Sequence, residues 1–529
     1  MEYLWWFVPG ATAPMLIALV ATVHVLVSHY AVGGGIWLAF EATHAHRTKN
    51  AEYLGYLRQH AFFFTMITVV FGAITGVGIW WTIGLASPLA TELLIRTFVF
   101  GWATEWVFFL VELTAAFLFL YRWGKVSTRT HLAYGWIYAF SAWASLVIIT
   151  GVTAFMLDPG RWIQATSAGT GEPHFWLAFF NPQFLPQTVY RTGMALMLTS
   201  AYIAFHASLF LQKPEKADLR KQVLRRDVWF LGVGLFLVLA GGVWAFFALP
   251  ELARMTMLRA AMAQILTVLG VGGLFALAAV GAALAWKPQW ASPLAGVLML
   301  GMAFAVLAAG EFVREAIRKP YVVMGVVQGN QMHVNNVEKT REAGLLESGT
   351  WTKKWVLEKF PAVGTEDGKL DLTRLTSEED KLAVGKAIFM HHCNDCHDIG
   401  CGYVGVKALA TMKTREGLLQ FIKNLNDMVY YMPPWCGNDV EAELLTDYLM
   451  KTADAYPQIV PPQAVATEQP AERKAPASET GAASETAPAE AAPVEAAPAE
   501  AVPTEAAPVE TDLPALEAPE SEPVTTPAN

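Results

Sequence analysis

Residues 263–286 read AQILTVLGVGGLFALAAVGAALAW, a run without one charged side chain. An apolar stretch of about 20 residues is long enough, as a helix, to cross the hydrocarbon core of a bilayer. The same pattern recurs seven more times before Pro320. The eight runs lie at about 12–40, 60–85, 97–120, 131–156, 187–211, 228–249, 260–285 and 292–314. The fold class expected is all-α: a polytopic helical membrane bundle of about eight spans, then a small α-helical domain and a disordered tail.

The composition agrees. The 529 residues are 54% hydrophobic and only 16% charged, against about a quarter charged in a soluble protein. The net charge of -9 owes much to an acidic tail. No basic footprint for nucleic acid is present. The lipid bilayer is the first partner implied.

The connectors alternate in charge. The first, third and fifth are EATHAHRTKNAEYLGYLR (41–58), YRWGKVSTRTH (121–131) and KPEKADLRKQVLRRD (213–227), and all three are basic. The second, fourth and sixth carry one or two Lys or Arg each. The positive-inside rule places the basic connectors in the cytoplasm. The N-terminus is then outside, and eight spans return the chain outside after about residue 316. MEYLWWFVPG lacks a basic n-region, so the first apolar stretch is expected to be a retained span.

Four segments follow from this reading: a membrane bundle at 1–319, a polar linker at 320–376, a helical domain at 377–456, and an Ala/Pro/Glu-rich tail at 457–529. The tail, with its APAEAAPVEAAPAEAVPTEAAPVE, has too little apolar surface to offset the entropy of ordering.

All four cysteines lie between Cys393 and Cys436. Cys393, Cys396 and His397 form CNDCH. In a CxxCH motif two thiols add to the vinyl groups of a haem and the histidine ligates its iron. A zinc or redox-active CxxC is the competing reading. Context favours haem c. LAVGKAIFMHHCNDCH (382–397) is a helix running into the site, as in class I cytochromes c. TREGLLQFIKNL (414–425) is amphipathic, and YYMPPW (430–435) precedes the helix DVEAELLTDYLM (439–450). Met432 in that loop is the natural sixth ligand, because His/Met ligation raises the reduction potential. Met428 and Met412 are weaker alternatives, and core packing is the plain one. His391 and His392 are expected at the surface or beside a propionate. Cys401 and Cys436 are expected to form a disulfide on an oxidising face.

Ionisable side chains inside spans are costly and point to function. Span one holds His24 and His29, and span two starts near His60. Span three holds Glu105 and Glu112, seven apart and on nearly one helical face. Span five holds Arg191 and His206. Span eight ends with Glu311, Arg314, Glu315 and Arg318. Imidazole and carboxylate in a bundle suit haem ligation and proton delivery. His60 is expected at the cytoplasmic interface, and His29 is a possible partner of His206 at a haem.

Four strings carry a family resemblance over about residues 10–325. They are HVLVSHYAVGG (24–34), FGAITGVGIWWTIG (71–84), GWATEWVFFLVELTAAFLFLYRWG (101–124) and REAIRKPYVVMGVV (314–327). In order and spacing they resemble subunit I of cytochrome bd-type quinol oxidases. That family is a helical membrane subunit with two b-type haems and one d-type or b-type oxygen-reactive haem. The resemblance implies His24 as ligand of the oxygen-reactive haem and Glu105 as the acid beside it. Glu112 resembles a second acid, at a spacing of seven where the family has eight. Glu315, in E-x-x-R-x-P-aromatic, matches the acid ligating the high-spin b haem, and Arg318 the adjacent arginine.

The departures concern quinol and the low-spin haem. The family's span-five histidine is replaced by Tyr190, and Met257 and Met262 do not fall on its span-seven methionine offset. The outer loop that forms the family's quinol site is reduced to PELARMTM (250–257), and a ninth span is missing.

The resemblance and the CxxCH together imply a haem-binding membrane electron-transfer protein of the bacterial inner membrane. It would carry a covalent haem c and one or two b- or d-type haems. Electrons would pass between the periplasmic haem c and the bundle, as in a cytochrome c-fed oxidase with Glu105 and Glu112 conducting protons. A second membrane subunit and a periplasmic electron donor or acceptor protein are the implied partners. Two other readings stay open: a relay between the quinol pool and periplasmic acceptors without oxygen chemistry, and a haem c domain on a haem-free anchor.

Overall fold

The computed structural model describes residues 6–167, 174–399, 405–406, 410 and 414–454. Cys401, Met412 and the tail at 457–529 lie outside the described residues. The fold is all-α apart from one short hairpin. Eight helices are long and apolar enough to cross a membrane: α1 Ala13–Thr48, α2 Ala51–Ala86, α3 Val99–Tyr121, α4 Thr128–Phe155, α5 Phe184–Phe210, α6 Pro214–Phe247, α7 Ala261–Trp286 and α8 Pro293–Ile317.

Local chemistry explains where these helices begin. Asn50, Ser127 and Ser292 each accept a hydrogen bond from the backbone N–H three residues on, satisfying a donor the helix itself cannot. Pro14 and Pro293 occupy first-turn positions, where no N–H is needed. Within α2, Met66–Phe71 forms a π-helical stretch, which rotates the face that the second half of the span presents.

The spans form two groups. Helix α1 packs on α2 and α4, and α4 on α3. Helix α5 packs on α6 and α8, and α7 packs on both α6 and α8. The groups meet where α1 lies along α5. That seam needs glycine. A Cβ on Gly33 would strike the Ala195 carbonyl and the Thr199 hydroxyl of α5; one on Gly35 would strike the Tyr138 ring of α4, where α1 packs on that helix. Helix α5 is central, with 83% of its apolar window buried, against 11% for α2 and α7. The outward faces of α2, α3 and α7 carry exposed Trp81, Trp106 and Leu269, as lipid-facing or subunit-facing helices do.

The basic connectors share one end of the bundle: Asn50 Nδ2 donates to Gln222 Oε1 at 3.2 Å, and the His46 and His131 rings lie 6.1 Å apart. At the opposite end α8 leads into a hairpin of β1 Tyr321–Val323 and antiparallel β2 Val327–Gln328. Met324 N–H donates to the Met156 carbonyl at the end of α4. Gln331 donates to Ser87 Oγ at 2.8 Å and accepts from Leu89 N–H at 3.2 Å. The chain leaving the bundle is thus pinned back onto it.

Residues read from sequence as a linker share one apolar core with the domain after them. Met332, Leu346, Val356, Phe360 and Val363 pack with Phe389, Leu419 and Leu445. Among the helices of that core are α9 Glu378–His392, α10 Arg415–Lys423 and α11 Asp439–Asp454. Glu378, Glu379 and Asp380 occupy the first turn of α9, where acidic groups oppose the helix dipole. Helix α9 crosses α11 at Gly385, whose Cβ position is taken by the Leu444 carbonyl. The buried Glu441 carboxylate accepts from the Leu345, Leu346 and Asn438 N–H groups at 2.7, 2.8 and 2.9 Å, tying the former linker to α11.

Candidate functional site

Helix α9 ends at Cys393, and the next turn carries the motif. Both Cys396 N–H (3.1 Å) and His397 N–H (2.9 Å) donate to the Cys393 carbonyl. The two thiols and the imidazole therefore lie on consecutive positions of one tight turn, the arrangement two thioethers and an axial histidine require. Burial pushes the Cys393 thiol up to about 12 and the Cys396 thiol up to about 11, so both are neutral thiols. Among the described residues no cluster of three or more His, Cys, Asp or Glu is placed to hold a metal ion. Met432 sits in the loop before α11. Its carbonyl accepts from Asn426 Nδ2 at 2.8 Å and its N–H donates to Val429. Met428 is largely exposed.

His391 and His392 correct a sequence expectation, since both are buried, at 2% and 6% exposure. The His392 ring stacks on Trp435 at 4.8 Å, its Nδ1 pairs with the Asn330 side-chain amide at 2.8 Å, and its Nε2 accepts from Cys436 N–H at 3.3 Å. Burial lowers it to about 4, and burial lowers His391 as well. They face inward because α9 is covered on that side by Asn330 and the Trp435 loop.

The motif abuts the bundle. The Cβ position of Gly329 lies 3.4 Å from Cys396 Sγ and 3.3 Å from the Pro320 carbonyl. Lys319, Glu315 and Arg318 lie within electrostatic reach of Cys396. Asn394 Nδ2 donates to the Trp6 carbonyl at 3.0 Å. Glu315 and Arg318 form a salt bridge. Arg318, 5% exposed, also donates to the Val322 carbonyl at 3.0 Å, and its Nε has no protein partner.

Inside the bundle, His24 Nδ1 contacts Thr75 Oγ1 of α2 at 3.1 Å. One ring nitrogen anchored and the other left to ligate is the usual arrangement of an imidazole ligand. Gly76 faces the ring, its Cβ position 3.3 Å from His24 Cε1. Glu105 accepts from Ser145 Oγ at 2.9 Å, and Glu112 from Tyr138 OH at 3.1 Å. The acceptors are seven apart on α3 and the donors seven apart on antiparallel α4, so both carboxylates face one helix. The Tyr138 hydroxyl also reaches the Ala31 carbonyl at 3.2 Å, which brings Glu112 against α1.

His29 does not pair with His206. Its Nδ1 contacts the Val25 carbonyl at 2.9 Å, and its electrostatic neighbours are Arg191 and Glu311. Glu311 is bonded to Arg314 at 2.9 Å. The two positions are off one face of α1, and His29 turns to α8. The partner of His206 is His60, which is fully buried, with ring centroids 4.6 Å apart. Two further buried charges were absent from the sequence reading. Glu41 pairs with Arg226 at 2.5 Å and accepts from Tyr53 OH at 2.7 Å. Asp227, 4% exposed, accepts from Ser200 Oγ at 3.2 Å. Glu41 and Asp227 each fall one residue outside an expected span.

The fold and these buried groups define a polytopic helical membrane protein with histidines and carboxylates gathered inside its bundle. Residues 13–267 match the family model described as cytochrome bd terminal oxidase subunit I. The match ends within α7, so α8 and the CxxCH domain lie beyond it. Among solved structures the chain is similar to the bd oxidase from Geobacillus thermodenitrificans, at 17% identity and a TM-score of 0.49, covering 59% of this chain and 88% of that one. No curated protein matches.

Proposed function

We propose that the protein is the haem-carrying membrane subunit of a bd-like respiratory electron-transfer complex, with a c-type haem on the 377–456 domain as its electron port. One observation carries this reading: the CxxCH turn rests on the end of α8, with Cys396 beside Gly329 and the Glu315–Arg318 pair. A c-type haem bound there supplies one-electron carriage. Cys393 and Cys396 would hold it through two thioethers, and His397 and Met432 would hold its iron.

Within the bundle His24, Glu315 and Arg318 are the groups proposed to hold haem, and their chemistry fits: an imidazole anchored through Nδ1, a carboxylate, and a guanidinium suited to a propionate. Glu105 and Glu112, each bonded to a hydroxyl of α4, take up and pass on protons. A second membrane subunit covers part of the exposed faces, and a periplasmic protein exchanges electrons with the haem c. Paired carboxylates inside α3 disfavour a haem-free anchor, because unused acids in a span are costly.

A pyridine haemochrome spectrum tests the reading. Haem c together with b- or d-type haem is expected, and haem c alone would sink it. Oxygen consumption with reduced cytochrome c, and none with quinol, is the expected activity. If His24→Ala leaves all non-c haem in place, the ligand assignment fails.

A further inference from the structure

His60 of α2 and His206 of α5 are both 0% exposed. Each ring has one nitrogen on a tyrosine hydroxyl: His60 Nε2 with Tyr30 OH at 3.1 Å, and His206 Nδ1 with Tyr56 OH at 3.2 Å. The remaining two nitrogens, His60 Nδ1 and His206 Nε2, are buried without a protein partner. An unmatched buried polar atom costs about 1–3 kcal/mol, so two from adjacent rings call for a shared partner. The indole nitrogen of Trp37, whose ring lies 5.2 Å from that of His60, is a third unmatched buried atom there.

The order of atoms is informative. Read from one tyrosine to the other, the chain runs Tyr56 OH, His206 Nδ1, His206 Nε2, His60 Nδ1, His60 Nε2, Tyr30 OH. The two unmatched nitrogens are the two inner ones. A haem iron held between these rings is excluded by size. Metal–nitrogen bonds of about 2.0–2.1 Å on opposite sides of an iron put ring centroids about 6 Å apart, whereas these are 4.6 Å apart at 83°.

We infer that Tyr56, His206, His60 and Tyr30 form a proton relay that enters the bundle from its basic, cytoplasmic end. A proton arriving through Tyr56 binds His206 Nδ1, and His206 releases one from Nε2. A bridging water passes it to His60 Nδ1, and His60 releases one from Nε2 to Tyr30. Each imidazole gains one proton and loses one, so its charge is unchanged after each transfer. The entry end is lined by acids: Asp227 lies within electrostatic reach of Tyr56, and Tyr53, stacked beside Tyr56 at 6.3 Å, bonds Glu41. Arg226 neutralises Glu41, which leaves Asp227 as the acid facing the relay. At the exit, Tyr30 stacks on Tyr202 at 3.9 Å. One ring, Phe64, separates it from Tyr138, the partner of Glu112; the Phe64 centroid is 5.2 Å from Tyr30 and 5.4 Å from Tyr138.

The relay rests on the redox reading only for its kinetic readout, so two measurements are needed. Full-length holoprotein in lipid bilayers, labelled with 15N-histidine, is followed by solid-state NMR from pH 5 to 9. His60→Gln is expected to change the tautomer populations of His206, and His206→Gln those of His60. Independent imidazole signals would overturn the relay whatever haems the bundle holds. In the second arm, proton uptake on reduction is timed with a pH-indicator dye. Tyr30→Phe, which keeps the ring stacking, and His60→Gln are expected to slow uptake at least tenfold while haem c reduction keeps its rate. Uptake within twofold of wild type in a folded variant overturns the relay. A wild type with haem c alone and no uptake overturns the redox reading, and the NMR arm then decides the relay. A stoichiometric metal ion lost in both histidine variants overturns the relay in favour of a metal site.

Discussion

His392 is expected to make the domain around α9 sensitive to acid. Its ring is buried, stacked on Trp435 and hydrogen-bonded at both nitrogens. Burial lowers its pKa from 6.5 to about 4. The unfolded chain therefore binds more protons than the folded one between those values. The stabilising contribution is complete above about pH 6.5 and is lost as pH falls toward about 4. Taking the two titrations together, the change between pH 7 and pH 5 amounts to about 2 kcal/mol. The assay is denaturant unfolding in detergent at a series of pH values, followed by the Soret band of the covalent haem. The readout is the difference between wild type and a His392 variant, because buried Asp395, pushed up to about 7, titrates in the same range with the opposite sign. His392→Phe keeps the stack but strands Cys436 N–H and Asn330, so it starts lower, by about 1–3 kcal/mol for each group left unmatched. Its change in stability between pH 7 and pH 5 differs from that of wild type by about 2 kcal/mol; buried His391 and Asp395 contribute equally to both proteins. Parallel slopes in wild type and variant would refute the reasoning.

Other positions give sharper yes-or-no outcomes. Gly33→Leu drives a side chain into the Ala195 carbonyl and parts α1 from α5; aggregation on size-exclusion chromatography is expected, and a monodisperse protein with wild-type thermal stability would count against the seam. Glu441→Ala strands three N–H groups and is expected to cost 3 kcal/mol or more, at about 1–3 each; a shift in the unfolding free energy below about 1 kcal/mol would contradict it. Met432→Ala is expected to lower the haem c reduction potential, and an unchanged potential would remove Met432 from the iron. Mass spectrometry after non-reducing alkylation is expected to leave Cys401 and Cys436 unmodified as a disulfide, and two alkylated thiols would end that proposal.

The spans and the CxxCH turn were legible because both are local. An uncharged run of helical length announces itself, and Cys393, Cys396 and His397 are close in sequence because they must be close in space. Pairing between helices was not legible. His206 meets His60, not His29, because the α1–α5 contact is set by Gly33 and the facing Ala195, which apolar periodicity does not mark. Glu41 and Asp227 escaped notice for a simpler reason: apolar runs end at a charge, so a buried charge at a span's end looks like its boundary. The burial of His391 and His392 depends on residues 330–375, whose polar composition hides a handful of well-placed apolar side chains.

That shared core has a kinetic meaning. A redox domain on a slack tether swings between partners, and its turnover falls as solvent viscosity rises. Here the segment after α8 is welded into the same core as α9 and α11 and fastened to the bundle through Gln331 and Met324. On the proposed function, electron passage across this junction would then be governed by a fixed gap, indifferent to viscosity and to tether length. The diffusive event in that scheme would be the arrival of the proposed external partner.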